Sequence, residues 1–158
     1  MERKDKENYY LDIAESVLQR STCRRRKYGV AIVRNDEIIA TGYNGAPRGR
    51  RNCLDHWTCM RDELGIPSGE RYELCRSVHA EANAIISAAR KDMIGATLYL
   101  SGRDAKTGEL LSDTIPCSMC RRLIINAGLE KTVCRTSADN YIVINTRDWV
   151  FNDDSLIE

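Results

Sequence analysis

Two short stretches, "HAE" at residues 79–81 and "PCSMC" at residues 116–120, constrain this chain more than anything else in it. Each opens a segment with helical patterning, and between them they offer one imidazole, two thiols and one carboxylate. Cys117 and Cys120 are three residues apart, which puts both sulfurs on one helix face. In the first turn of a helix they meet unpaired N–H groups and the positive end of the dipole, both of which favour thiolates. Two such helix starts, brought together, give a cation three protein ligands: His79, Cys117 and Cys120. The fourth position stays open to water, as catalytic zinc requires. Two thiolates neutralise the metal charge, so its water is less acidified than at a three-histidine site, and a base beside it matters more. Glu81 is placed to be that base. A redox Cys-x-x-Cys fits poorly, because a thioredoxin-type motif follows an early strand and has no use for a partner His-x-Glu.

The rest of the composition narrows the setting. The 158 residues suit one domain, and a chain of that size holds a core without disulfide staples. The 24 basic and 23 acidic side chains leave a net charge of +1, which argues against a nucleic-acid partner. The basic residues cluster locally in "RSTCRRRKYG" (20–29) and "PRGRR" (47–51). The first twenty residues lack the apolar core of a secretory signal, and no apolar run is long enough to span a membrane. The expectation is a cytoplasmic protein whose seven cysteines are reduced and serve metal binding or catalysis.

Along the chain, Tyr10, Ile13, Ala14, Val17 and Leu18 recur at helical spacing and predict a first helix. "YGVAIV" (28–33) and "EIIATGY" (37–43) are β-rich runs joined by a hairpin signal. Residues 44–75 are rich in Gly, Pro, Cys and charge and read as a long functional loop. "HAEANAIISAARK" (79–91) predicts one alanine-rich helix, and "ATLYLS" (96–101) a strand. Residues 102–115 look like an excursion, with a small hairpin around Thr107-Gly108. Pro116 opens a further helix with Gly128 as its C-cap. "KTVCRT" (131–136) and "YIVIN" (141–145) are two more strands, and the tail "RDWVFNDDSLIE" (147–158) carries two aromatics that can cover the core or a neighbouring subunit. This order predicts an α/β fold: a five-stranded mixed sheet with helices on both faces, in three layers.

A second set of metal donors sits in the cysteine-rich part of the loop, residues 48–75. Cys53, Cys59 and Cys75 suit a closed, structural zinc, with His56 and Cys23 competing for the fourth place. The competing reading is a reduced loop with incidental cysteines. Cys134, in a predicted strand, reads as a small buried hydrophobe.

The stretches "STCRRRKYGVAIV", "TGYNGAPRG", "GIPSGERYELC", "HAEANAI", "GATLYL", "PCSMC" and "IINAGLEKTV" cover most of residues 9–134. In that order the chain resembles the cytidine and deoxycytidylate deaminase superfamily, whose signature is His-x-Glu followed by Pro-Cys-x-x-Cys. "TGYNGAPRG" and "IPSGE" are more specific to the deoxycytidylate (dCMP) branch. The resemblance implies a single dCMP-type deaminase domain over residues 1–158, with the cytidine-deaminase-like three-layer fold. It implies one catalytic zinc on His79, Cys117 and Cys120, and hydrolysis of dCMP to dUMP and ammonia with Glu81 shuttling protons. It assigns Asn44 as a hydrogen-bond partner of the substrate and sets the backbone of Ala80 against the pyrimidine. Without the family, Asn44-Gly45 would read as a turn pair.

Some dCMP deaminases also carry a second zinc in the region of the cysteine-rich loop. The branch forms homo-oligomers, often hexamers, and responds to dCTP and dTTP. Of the arginines around the first hairpin, Arg26 and Arg48 are taken as phosphate contacts, since guanidinium matches phosphate geometry. Three features depart from the branch: the long 102–115 excursion, Ala82 in place of a glutamine, and Arg135 where tyrosine is common. They leave open a different cytosine nucleoside, nucleotide or modified base as substrate. A non-catalytic zinc-stabilised accessory module is the remaining alternative, and the intact Glu81 argues against it.

Overall fold

The structure, a computed structural model, describes residues 1–152. Helix α1 (Lys6–Leu18) begins where the Asp5 carboxylate accepts the backbone N–H of Asn8 at 2.9 Å. Its buried stripe is Tyr10, Leu11, Ala14 and Leu18, so the predicted face is rotated slightly: Leu11 is fully buried, while Ile13 and Val17 are half-buried. Strands β1 (Arg26–Arg34) and β2 (Glu37–Tyr43) follow as a hairpin. Its turn places Asn35 and Asp36 at φ 50° and 64°, the left-handed pair that matches strand twist.

The loop over 44–75 holds more local order than its sequence suggests. It contains two 3₁₀ turns, Cys53–Asp55 and Tyr72–Leu74, and a one-turn helix α2 (Met60–Glu63). The helix predicted over 79–91 is two helices, α3 (Ala80–Ile86) and α4 (Arg90–Met93). The Ser87 hydroxyl donates back to the Asn83 carbonyl at 2.9 Å, and Ala89 is extended before α4 begins. The break lets Met93 and Ala96 bury themselves, a tertiary demand that overrides alanine propensity.

Strand β3 (Thr97–Asp104) leads into the excursion, which is a hairpin as expected. Leu111 N–H pairs with the Gly102 carbonyl at 2.9 Å, Asp104 caps the turn, and Gly108 takes φ 74°. Helix α5 (Ser118–Ala127) starts two residues later than Pro116, with Cys117 as N-cap, and ends at Gly128 as predicted. Strands β4 (Lys131–Arg135) and β5 (Tyr141–Asn145) and helix α6 (Thr146–Asn152) complete the described chain. The tail turns inward: Trp149 is buried under the Arg121 guanidinium. Residues 153–158 lie outside the described residues.

The strands pair in the order β2-β1-β3-β4-β5, with β3 and β4 parallel and the other neighbours antiparallel. The pleat sends alternate residues to opposite layers. Ala31, Val33, Tyr99 and Val133 pack with Tyr10 and Leu11 of α1. Val30, Ile32, Leu98, Leu100 and Cys134 pack with residues of α3, α4, α5 and α6, including Ala84, Met93, Ile124 and Trp149. The predicted mixed five-stranded sheet between helical layers is therefore present, and Cys134 is the buried hydrophobe anticipated. Among the described residues no helix is long and apolar enough to cross a membrane.

Arg135, the residue that departs from the branch, sits buried at the α1 face. It donates to the Asp12 carboxylate at 2.8 Å and to the Asn8 side chain at 3.2 Å. Glu15, beside it, accepts from Arg103 Nε at 2.7 Å and so ties the base of the excursion to α1. Helix α1 itself lies against β1 with no room to spare, because a Cβ on Gly29 would fall 2.0 Å from the Ala14 carbonyl oxygen and 2.6 Å from Leu18 N. Gly29→Ala is expected to destabilise the protein by about 2–3 kcal/mol, read as a lower urea midpoint at unchanged m value.

Candidate active site

Glycine also sets the approach of α3 to the sheet. A Cβ on Gly42 would meet the Ala80 carbonyl at 2.4 Å and Ala84 N at 2.5 Å, so only glycine lets the start of α3 rest on β2. Val78 pairs with Gly45 in an isolated bridge, which fixes the chain immediately before His79. His79 is the N-cap residue of α3, and Cys117 is the N-cap residue of α5. The two helices pack against each other on the same face of the sheet, and their starts meet.

At that meeting the His79 Nδ1 atom lies 3.5 Å from Cys117 Sγ and 3.4 Å from Cys120 Sγ. One ligand atom from each of the three residues falls within 4.8 Å of the others, the only set that close among the described residues. Cys117 Sγ accepts the Cys120 backbone N–H at 3.5 Å. Hydrogen bonding from Cys120 and from His79 pulls the Cys117 thiol down to about 4, against the opposing effect of burial. Cys120 moves the other way, because the Cys117 thiolate and its own burial hold its proton. Burial works against the His79 imidazolium, but the Cys117 thiolate and Glu81 outweigh it and raise the histidine. The donor set, one imidazole nitrogen and two sulfurs around a shared point, fits zinc.

Glu81 follows one residue into α3 and is buried, which raises its carboxyl above the ordinary range. It lies beside Cys120 and Tyr28, under a cavity lined by His79, Ala80, Cys117, Asn44 and Arg26. Asn44 is more than a turn residue. Its Oδ1 accepts from Ser21 Oγ at 2.6 Å and from Tyr28 N at 2.8 Å, and its Nδ2 donates to the Arg26 carbonyl at 2.8 Å. That last bond uses one of two Nδ2 hydrogens. The network locks the end of β2 to the start of β1 at the cavity wall.

Of the two arginines expected at the phosphate, Arg26 lines the cavity, close to the Tyr28 hydroxyl at 3.5 Å and Asp113 at 3.8 Å. Arg48 does not line it; it is an exposed residue on the loop after β2, where Gly49 at φ 86° turns the chain. Two residues without an assigned role in the sequence stand out instead. Tyr72 sets its ring edge-on to His79, centroids 4.6 Å apart, and Arg61 lies over the Tyr72 ring at 4.6 Å. Tyr72 falls inside the motif "GERYELC", so that stretch marked it; a single arginine within a charged loop carries no signal.

The second cysteine set also lines this cavity, with no three of its sulfurs within 4.8 Å of one another. Cys23, Cys53, Cys59 and Cys75 all line it, near enough that the thiols raise one another's proton affinity at Cys53 and Cys75, after burial. Cys23 Sγ accepts Arg25 N–H at 3.5 Å and Cys75 Sγ accepts Ser77 N–H at 3.4 Å. His56 is not with them: its ring is outside the cavity, close to the charges of Arg76 and Arg51, and its backbone carbonyl is what the fold uses, accepting from Arg24 at 2.8 Å.

Residues 4–136 match the family described as the cytidine and deoxycytidylate deaminase zinc-binding region, and the chain belongs to that family. Its relatives point within it. The chain is 39% identical over 138 residues to the deoxycytidylate deaminase of Mycobacterium phage D29, spanning 84% of this chain and 96% of that one. It is 34% identical over 131 residues to the deoxycytidylate deaminase of Schizosaccharomyces pombe, but covers only 37% of that longer protein. Among solved structures, the dCMP deaminase of cyanophage S-TIM5 in complex with dCMP and dUMP is similar, with a TM-score of 0.59 and 28% identity over 85% of this chain and 84% of that one. The zinc of the family is matched here by His79, Cys117 and Cys120.

Metal analysis of purified variants tests the donor set. Cys120→Ser and His79→Ala are each expected to lose one equivalent of zinc, whereas Glu81→Gln keeps it. Equal zinc in the wild type and all three variants is incompatible with the assignment.

Proposed function

We propose that this chain, as a single dCMP-type deaminase domain, hydrolyses dCMP to dUMP and ammonia. The observation that carries the reading is the buried Glu81 carboxylate beside the His79, Cys117 and Cys120 donor set, in a cavity whose other charged lining groups are arginines. The 39% identical phage relative supports the choice of substrate. His79, Cys117 and Cys120 would hold a zinc ion, which would supply the acidity that makes water a nucleophile near neutral pH. Glu81 takes a proton from that water as its oxygen adds to C4 of the cytosine ring, and passes the proton to N3. Glu81 then carries the second proton to the exocyclic amino group, which leaves as ammonia, and the uracil ring remains. Asn44 holds the sugar side of the substrate, and the start of α3 at Ala80 sets its backbone against the pyrimidine. Tyr72 keeps the His79 ring from turning.

A second, structural zinc belongs to the same proposal, with Cys23, Cys53, Cys59 and Cys75 as its ligands and His56 excluded. Its support is that the four cysteines line one cavity and that N–H groups are aimed at Cys23 and Cys75. The metal would hold a loop that otherwise has few buried apolar residues. The reading places the protein in the cytoplasm, where thiols stay reduced. From the resemblance it includes a homo-oligomer, often hexameric in this branch, that responds to dCTP and dTTP; exposed Ile86, Met119 and Leu123 offer apolar surface for subunit contact.

Ammonia release from dCMP, CMP, deoxycytidine and cytidine by the zinc-loaded protein tests the activity. Turnover of dCMP is expected, falling at least about 10²- to 10⁴-fold in Glu81→Ala. Turnover of deoxycytidine in preference to dCMP would replace the nucleotide reading with a nucleoside one. Zinc content separates the two candidate fourth ligands of the structural site: Cys23→Ala should lose one equivalent, and His56→Ala none.

A further inference from the structure

A nucleotide substrate brings a phosphate into the cavity, and two guanidiniums there, one buried and one half-buried, have buried nitrogens with nothing to hold. Arg61 Nε and Arg25 Nη1 are buried without a hydrogen-bond partner, and both residues line the cavity that contains His79 and Glu81. Arg61 is 6% exposed. Its Nη2 donates to the carbonyls of Pro67 and Glu70 at 2.7 and 2.8 Å, and its face rests on Tyr72. Those contacts fix the plane of the guanidinium, so Nε cannot turn elsewhere for a partner. Arg25 Nε lies 3.5 Å from the carboxylate of Asp62, the residue after Arg61, which ties the two guanidiniums to the same turn of α2.

The other arginines of the cavity are engaged. Arg24 donates to the His56 carbonyl, Arg76 to the Thr58 carbonyl, and Arg26 faces the Tyr28 hydroxyl and Asp113. Glu81 is the only carboxylate in the lining, against five arginines. A buried cationic N–H without an acceptor is costly, and a dianionic oxygen cluster is the acceptor that matches two guanidiniums best.

We propose that Arg61 and Arg25 bind the 5′-phosphate of the substrate, with Arg61 Nε as the fixed donor and Arg25 Nη1 as the second. This rests on the nucleotide reading of the site, and it moves the phosphate contact from Arg26 and Arg48 to a pair held by α2. It also gives the "GIPSGE" turn a purpose: the carbonyls of Pro67 and Glu70 aim Arg61.

The test is calorimetric titration of the zinc-loaded protein with dUMP, deoxyuridine and inorganic phosphate, for the wild type, Arg25→Gln and Arg61→Lys. The lysine keeps the charge but removes Nε, and Arg25→Gln leaves the Arg61 staple intact should Arg61→Lys fold poorly. The wild type is expected to bind dUMP at least about 100-fold more tightly than deoxyuridine, and each variant to cut that ratio about tenfold or more at unchanged deoxyuridine affinity. Inorganic phosphate should bind the wild type and lose affinity in both variants. Variants that keep the wild-type ratio overturn the assignment, as does a wild type that binds neither dUMP nor phosphate. Zinc lost from Arg25→Gln in step with dUMP affinity also overturns it, in favour of a counter-charge role at the nearby thiols. A wild type that binds phosphate through these arginines but releases no ammonia from dCMP upholds the anion site and rejects the deaminase reading instead.

Discussion

The structure turns on the meeting of two helix starts. His79 and Cys117 each occupy the residue before a helix, where backbone N–H groups are unpaired and a side chain can reach forward. Bringing those two places within 3.5 Å demands that α3 and α5 share one face of the sheet and lie against each other. It demands in turn that β2 carry no side chain under α3, which Gly42 satisfies. The parallel pairing of β3 and β4 follows from the same requirement, since α5 must cross over the sheet between them. A single point of convergence thus dictates the strand order, the placement of two helices and one obligatory glycine.

Around that point the cavity gathers charges of both signs. The one lining carboxylate, Glu81, is sunk at the base, where burial favours its protonated form and suits it to pass protons rather than simply to attract cations. The guanidiniums of the lining come from Arg24 and Arg25 just before β1, from Arg26 at its start, and from Arg61 and Arg76. Tyr72 and Tyr28 line the cavity as well, one against His79 and the other near Glu81. The cavity thus combines a buried carboxyl with several guanidiniums, which is the charge pattern the proposed substrate, a basic ring with a negative tail, calls for.

Much of this was readable from residues alone, because metal chemistry tolerates few alternatives. The donors His79, Cys117 and Cys120 and the carboxylate Glu81 announce themselves by spacing and by their position at helix starts. The strands were legible because they are rich in β-branched residues bounded by turns. The break after Ile86 was not, because the alanines of 82–89 favour an unbroken helix and the burial of Met93 that interrupts it is a long-range effect. Of the arginines, Arg26 lines the cavity as its place at the start of β1 suggests, but the other positions follow from long-range packing. Arg48 sits in a conspicuous basic run, yet its loop turns it to solvent, while Arg61 is one cation among many until Tyr72, Pro67 and Glu70 are seen around it. His56 looked like a metal ligand from its place between two cysteines, but the local turn uses its carbonyl and leaves its ring outside.

The excursion between β3 and α5 has a further consequence. Its two legs are clamped at the base by the Gly102–Leu111 backbone bond, and its tip is closed by Asp104 and Gly108. Both legs reach the rim of the cavity: the Ala105 N–H donates to the Arg25 carbonyl at 3.0 Å on one side, and Asp113 and Ile115 meet the rim on the other. The hairpin is thus one wall of the doorway to the cavity, and a change in its length or sequence would reshape the opening a substrate passes.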